Sequence, residues 1–173
     1  MMHGFVTEPA CVLATPDFAL GYWRDVFICS WRVRTTMEGA GQLVKHCAEF
    51  GTTRSSGIGL LTIIEANAPA PENDARAAIA DFLGSAAYIR GSGVAFEGTG
   101  FRAAAVRSIV SGLTMLARQP YEHKVFDAVP ATMTWLVPEL SEHLSVDYSA
   151  GQAVDAVAGF RARVDAEVPK RSA

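Results

Sequence analysis

The sequence has no C-x-x-C pair, no basic run and no apolar stretch of membrane length. Each absence removes a class of function. Cys11, Cys29 and Cys47 are an odd set without metal or redox spacing, so neither a disulfide framework nor a zinc site is expected. Cys29 falls in a predicted strand and Cys47 on an apolar helix face. Both read as small buried hydrophobes in a reducing compartment. The 15 Lys and Arg are scattered against 18 Asp and Glu, for a net charge of −3. A polyanion-binding surface, and with it a nucleic-acid partner, is not expected. The longest apolar stretches, residues 57–64 and 109–117, fall far short of a bilayer span, so no membrane span is expected. Met1-Met2-His3-Gly4-Phe5 lacks the positive region and apolar run of a secretion signal. The expectation is a cytoplasmic protein.

What is present is ordinary globular material. Half of the 173 residues are hydrophobic and 19% are charged, enough for one sizeable core. Residues 10–15 read as a short strand stopped by Pro16, followed by a turn-like stretch through Gly21. Val26-Phe27-Ile28-Cys29-Ser30-Trp31-Arg32 carries apolar groups on both faces, the pattern of a central strand. Thr35-Thr36-Met37-Glu38 has the form of a capping box, with a helix behind it stopped by Gly51. Residues 57–65 read as a buried strand, and 75–86 as an amphipathic helix. A fourth strand over 93–97 turns at Gly98-Thr99-Gly100 into a helix over 101–118. That helix is apolar almost all round, so it is buried or meets a second surface. Its small residues Ala103, Ala104, Ala105 and Gly112 suit close approach, by the sheet or by a homodimer partner. A last strand over 121–126 precedes a helix over 128–137, with Asp127 as its cap and Pro138 disturbing its end. An Ala-rich helix over 150–168 closes the chain, with Phe160 or Arg161 on its inner face. It either packs on the domain or forms a mobile arm.

The order β-β-α-β-α-β-α-β-α, plus that helix, predicts an α/β open sheet of about five strands with helices packed on it. Residues 1–145 are expected to form one domain, and 146–173 a C-terminal amphipathic helix and tail. Three features carry a family likeness: the short N-terminal strand pair, the strand 26–32 before the first helix, and Lys124-Val125-Phe126-Asp127 opening a helix with Trp135-Leu136. Over residues 10–140 the chain resembles the STAS superfamily, the domains of anti-anti-sigma factors and related SpoIIAA-like proteins. The resemblance implies a non-enzymatic module, without cofactor, that binds a regulatory or signalling protein. Phosphorylatable members carry Ser or Thr where the strand runs into the second helix. Here that stretch, Glu65-Ala-Asn-Ala-Pro-Ala-Pro-Glu-Asn-Asp74, has no hydroxyl. The switch is therefore expected to be absent, with Glu65, Glu72 and Asp74 supplying constant charge at a helix N-terminus. Glu65, Asn67, Glu72, Asp74 and Arg76 are the candidate interaction surface.

Rival chemistry rests on fewer residues. Gly98-Thr99-Gly100-Phe101-Arg102-Ala103 fits G-x-G-x-x-A between a strand and a helix. Two glycines and a helix N-terminus suit an anion or nucleotide phosphate, which makes Gly98, Thr99, Gly100 and Arg102 a candidate anion site, with Arg107 adding charge. Only one strand follows, however, and Asp127 comes later than the roughly 20 residues at which a ribose-binding acid is expected. A tight turn in which glycine permits positive φ accounts for the same residues. Glu65 and Glu97 both end predicted parallel strands, where ligands of open α/β sheets bind. If those strands are neighbours, the pair suits acid–base work; two acids satisfying helix dipoles is the plainer reading. His3, His46, His123 and His143 show no metal spacing. His46 and His123 are expected near the surface, and no catalytic residue is singled out.

Overall fold

The structure is a computed structural model and describes residues 8–117 and 119–170. His3 lies outside the described residues, as do the side chains of Phe101, Arg102, Leu113, Met115 and Leu116. Six strands run β1 (Ala10–Ala14), β2 (Phe18–Trp23), β3 (Val26–Trp31), β4 (Ile58–Ile64), β5 (Ile89–Phe96) and β6 (Glu122–Phe126). Five helices are α1 (Met37–Thr52), α2 (Asn73–Ser85), α3 (Gly100–Ala117), α4 (Val129–Ser141) and α5 (Ala150–Glu167). The strands lie in one sheet in chain order. β1, β2 and β3 pair antiparallel, and β3 through β6 pair parallel. The class is the α/β sheet expected, with one strand more.

The extra strand is β2, in the stretch that reads as a turn. Gly21 there is no turn glycine: a Cβ on it would lie 2.5 Å from Cε2 of Phe160 on α5. The Ala10 carbonyl on β1 is closer still, so both the neighbouring strand and the helix packed on β2 exclude a side chain there, reasons invisible in local sequence. The β2–β3 turn places Arg24 at φ 54, which is tolerable only because the hairpin demands it.

Side chains alternate across the parallel strands and define two cores. Leu60, Ile64, Val94 and Phe96 pack beneath α1, α2 and α3. Leu61, Ile63 and Ala95 pack beneath α4 and α5. The helices therefore cover both faces, with the three crossover helices on one. α5 buries Ala153, Val157, Phe160 and Val164 in the second core, so it docks on the domain. Its start is fixed by a capping box between Ser149 and Gln152.

Local signals at other helix ends are displaced. The cap of α1 is Thr36, whose side chain accepts from Gly39 N–H, and not Thr35. α1 also runs past Gly51, which is buried against the Tyr88 ring. Ala128, and not Asp127, caps α4 without a side-chain bond. α4 continues through Pro138 to Ser141 because Leu140 stays buried beyond the proline. That burial offsets the one backbone bond the proline removes.

α4 sits close on the sheet because glycines floor it. A Cβ on Gly59 would be 2.6 Å from Leu140, and one on Gly93 would be 2.5 Å from Thr132 Cγ2. We expect Gly93→Leu to lift α4 and cost about 2 kcal/mol or more, as overpacking does. The measurement is the shift in guanidinium midpoint at unchanged m-value; an unchanged midpoint would show that α4 is not held against Gly93.

Candidate functional site at the carboxyl edge of the sheet

The first residue beyond each of β3, β4 and β5 is charged: Arg32, Glu65 and Glu97. The strands end in register at Trp31, Ile64 and Phe96. Those three point toward α1–α3, so by alternation the next three point toward α5. Glu65 N–H donates to Trp31 O and Glu97 N–H to Ile64 O, which carries the ladder into the charged row. The strands are neighbours, and Glu65 and Glu97 do come together.

α5 meets this row with complementary charge. Arg161 donates to both Glu97 oxygens, at 2.6 and 2.8 Å, and lies 3.5 Å from Glu65 Oε1. Lys170 pairs with Glu65 Oε2. Ser30 Oγ donates to Glu65 Oε1 at 3.1 Å. Arg32, only 3% exposed, donates to Asp165 Oδ1 at 2.9 Å and to the carbonyls of Val168 and Thr15. Three cations and three carboxylates thus cancel in one cluster. Hydrogen bonding to Glu97 is the largest influence on Arg161 and raises its pKa above the usual guanidinium value. Glu65 is 5% exposed. A carboxylate buried so far is costly unless it is paired and hydrogen-bonded as here.

Glu65 is therefore at the base of the candidate interaction surface, and its charge is taken up internally. Asn67, Glu72 and Asp74 are exposed, and Asn67 takes φ 69 in the loop after β4. Glu72 precedes α2 without a capping bond, and Asp74 Oδ1 accepts from Ala75 N–H. Arg76 is half-buried and donates to Pro71 O at 3.4 Å. The loop after β5 lies beside this one: Asn67, Ala68, Gly98, Thr99 and Ala103 line a common small cleft. Gly100 starts α3 at φ 87, a conformation that calls for glycine whatever else the turn does. Arg107 is committed to its own strand end, donating to Phe96 O at 3.4 Å and lying over the Phe96 ring.

The remaining candidates separate. His46 and His143 pair with Glu49 and Glu139 one turn away. Asp127 is exposed. Cys29 and Cys47 are buried, and burial pushes both thiols up, Cys47 to about 12. Among the described residues no group of three or more His, Cys, Asp and Glu is placed to hold a metal ion. No described helix is long and apolar enough to cross a membrane.

His123 differs from its surface expectation. Its register partner on β5 is Ser92, and Nδ1 lies 3.0 Å from Ser92 Oγ. Burial lowers its pKa from 6.5 to about 4. Sequence reasoning also missed Arg161, Asp165 and Lys170. The only local trace was the i, i+4 spacing of Arg161 and Asp165 on a weakly apolar helix.

In comparisons with known proteins, the chain matches no family model, no curated protein and no solved structure.

Two expectations follow from these groups. Arg161→Ala leaves Glu65 and Glu97 undercompensated and should cost about 3 kcal/mol in chemical denaturation. The double change Arg161→Met with Glu97→Gln should regain part of that loss, and a double change as damaging as the sum of its singles would contradict the clamp. For His123 the folded state resists a proton that the unfolded chain accepts. Its contribution is therefore complete above pH 6.5 and lost as pH falls toward about 4. His123→Phe should flatten that part of the stability–pH curve, read from denaturation midpoints at pH 7 down to pH 4.5.

Proposed function

We propose that the chain is a STAS-like, non-enzymatic regulatory or protein-interaction module of the cytoplasm, lacking a phosphorylation switch. The observation that carries this reading is the shared cleft of the loops after β4 and β5. It joins exposed Asn67 and Thr99 into one polar surface at the carboxyl edge, continued by the exposed acids Glu72 and Asp74. Such a surface suits a protein partner that presents basic side chains.

Two further observations support binding over chemistry. The strand order never reverses, so the sheet lacks the crevice in which doubly wound folds seat their ligands. Glu65 and Glu97, the pair best placed for acid–base work, share Arg161 as a common counter-ion. Acid–base catalysis instead separates two environments so that one carboxyl holds a proton.

The test compares the wild-type chain with a Glu72→Lys, Asp74→Lys variant as bait in extract of the cell of origin. The reading expects a stoichiometric partner on the wild-type chain and its loss on the variant, with thermal stability preserved. The same partners on both baits would refute it. Phosphate incorporated by a kinase at Thr99, the exposed hydroxyl of the adjoining loop, would refute the missing switch. A thermal shift of several degrees with nucleotides or inorganic phosphate, abolished by Gly100→Val, would move the reading to anion binding at Gly98–Gly100.

A further inference from the structure

The end of α5 follows from its sequence. Pro169 disfavours the helical conformation in the residue before it, and Val168 accordingly takes φ −132 and ψ 93. The chain leaves the helix extended and is held against the charged row at two points. Arg32 donates to the Val168 carbonyl, and the Lys170 ammonium pairs with Glu65 Oε2.

The two oxygens of Glu65 are served differently. Oε1 accepts from Ser30 Oγ at 3.1 Å and lies 3.5 Å from Arg161. Arg161 commits both of its terminal nitrogens to Glu97. Oε2 is buried and takes no hydrogen bond of good geometry from any described group; its ion-pair partner is Lys170. The Glu65 side chain is 5% exposed and that of Lys170 is 44% exposed. The lysine stem thus reaches from solvent to a buried acid, and the room it takes is room that another ammonium can use. Its departure does not orphan Glu65, because Ser30 and Arg161 remain on Oε1.

We propose that Glu65 Oε2 is a socket for a primary ammonium group, that Lys170 is its built-in occupant, and that a lysine of the partner displaces it. The displacement rests on the partner surface proposed above; the socket does not. An ammonium fits because it is a compact charge with three donors on a slim stem. A guanidinium is disfavoured, since its planar fork calls for two acceptors and Oε1 is already engaged. Glu65 also opens the loop that carries exposed Asn67, Glu72 and Asp74, so one basic partner can reach the socket and those acids together. The tail then acts as an internal competitor. A tethered lysine has an effective concentration that a free one must exceed, which keeps weakly bound cations off the acid.

The experiment uses the full chain and its Lys170→Ala variant, with propylammonium as the probe. Propylammonium supplies the atoms that the substitution removes beyond Cβ. Propyltrimethylammonium, of equal charge but without N–H donors, and neutral propanol are the controls, all at matched ionic strength. Binding is followed by the NMR signal of the Glu65 side-chain carboxyl. Propylammonium should shift it saturably in the variant, about tenfold or more tighter than in the wild-type chain, where the tail competes. Neither control should do so. Equal binding to both chains, no shift at Glu65, or a shift matched by propyltrimethylammonium would overturn the socket. A reading without any variant comes from the wild-type chain: excess propylammonium should release Lys170, seen at its Nζ signal, and the trimethyl analogue should not. Release by neither, or by both alike, would again overturn it. These measurements need no protein partner, so they separate the socket from the partner reading. As bait, Lys170→Ala should recover more partner than the wild-type chain; equal recovery would leave the partner surface standing and overturn the displacement.

Discussion

A charge at the end of a buried strand has to be answered by something the strand does not contain. Here three such charges, on Arg32, Glu65 and Glu97, face the same side of the sheet, and one helix answers all of them. Much of the architecture follows. α5 must cross β2 at a set height, which places Phe160 over Gly21 and forbids a side chain there. It must also present Arg161 and Asp165 one turn apart, in opposite order of sign to the row beneath. A slip of α5 by one residue would set Phe160 and Val164, or Ala162 and Ala166, against the charged row and leave it unpaired, so the ion pairs hold the register along with the apolar stripe. Buried ion pairs contribute little net stability; their effect is to make the alternatives worse.

What was legible in the sequence was whatever is written locally. The apolar runs of β3 and β4 announce strands buried on both faces, and both are found so. The stripe of α2 and the order of elements gave the α/β sheet. What was missed depends on partners far along the chain. Gly21 reads as a turn until Phe160 is laid on it. Pro138 reads as a stop until Leu140 is seen reaching the space above Gly59. In the carboxyl-edge site the acids were visible and the cation was not: Arg161 is 64 residues from Glu97, and no spacing rule spans that gap. His123 was misplaced for a related reason. A strand with exposed neighbours on either side, Glu122 and Lys124, reads as an edge, yet its alternate face looks into the core.

The two faces of the sheet are closed by different means. α4 approaches over small residues at Gly59, Gly91 and Gly93, so that layer is tight. Beneath α1–α3 the neighbouring strand positions carry the larger side chains of Leu60, Thr62, Ser92 and Val94. The charged clamp is on the glycine-floored side.

The order of synthesis adds a consequence of the clamp. Chains leave the ribosome from the amino end, so Glu65 and Glu97 emerge well before the arginine that neutralises them. Until α5 arrives, the half-made sheet carries Arg32, Glu65 and Glu97 uncovered at one edge of that face. Uncovered charges hold water, which a purely apolar edge would shed. The same charges that lock the mature chain therefore disfavour contact between two incomplete sheets.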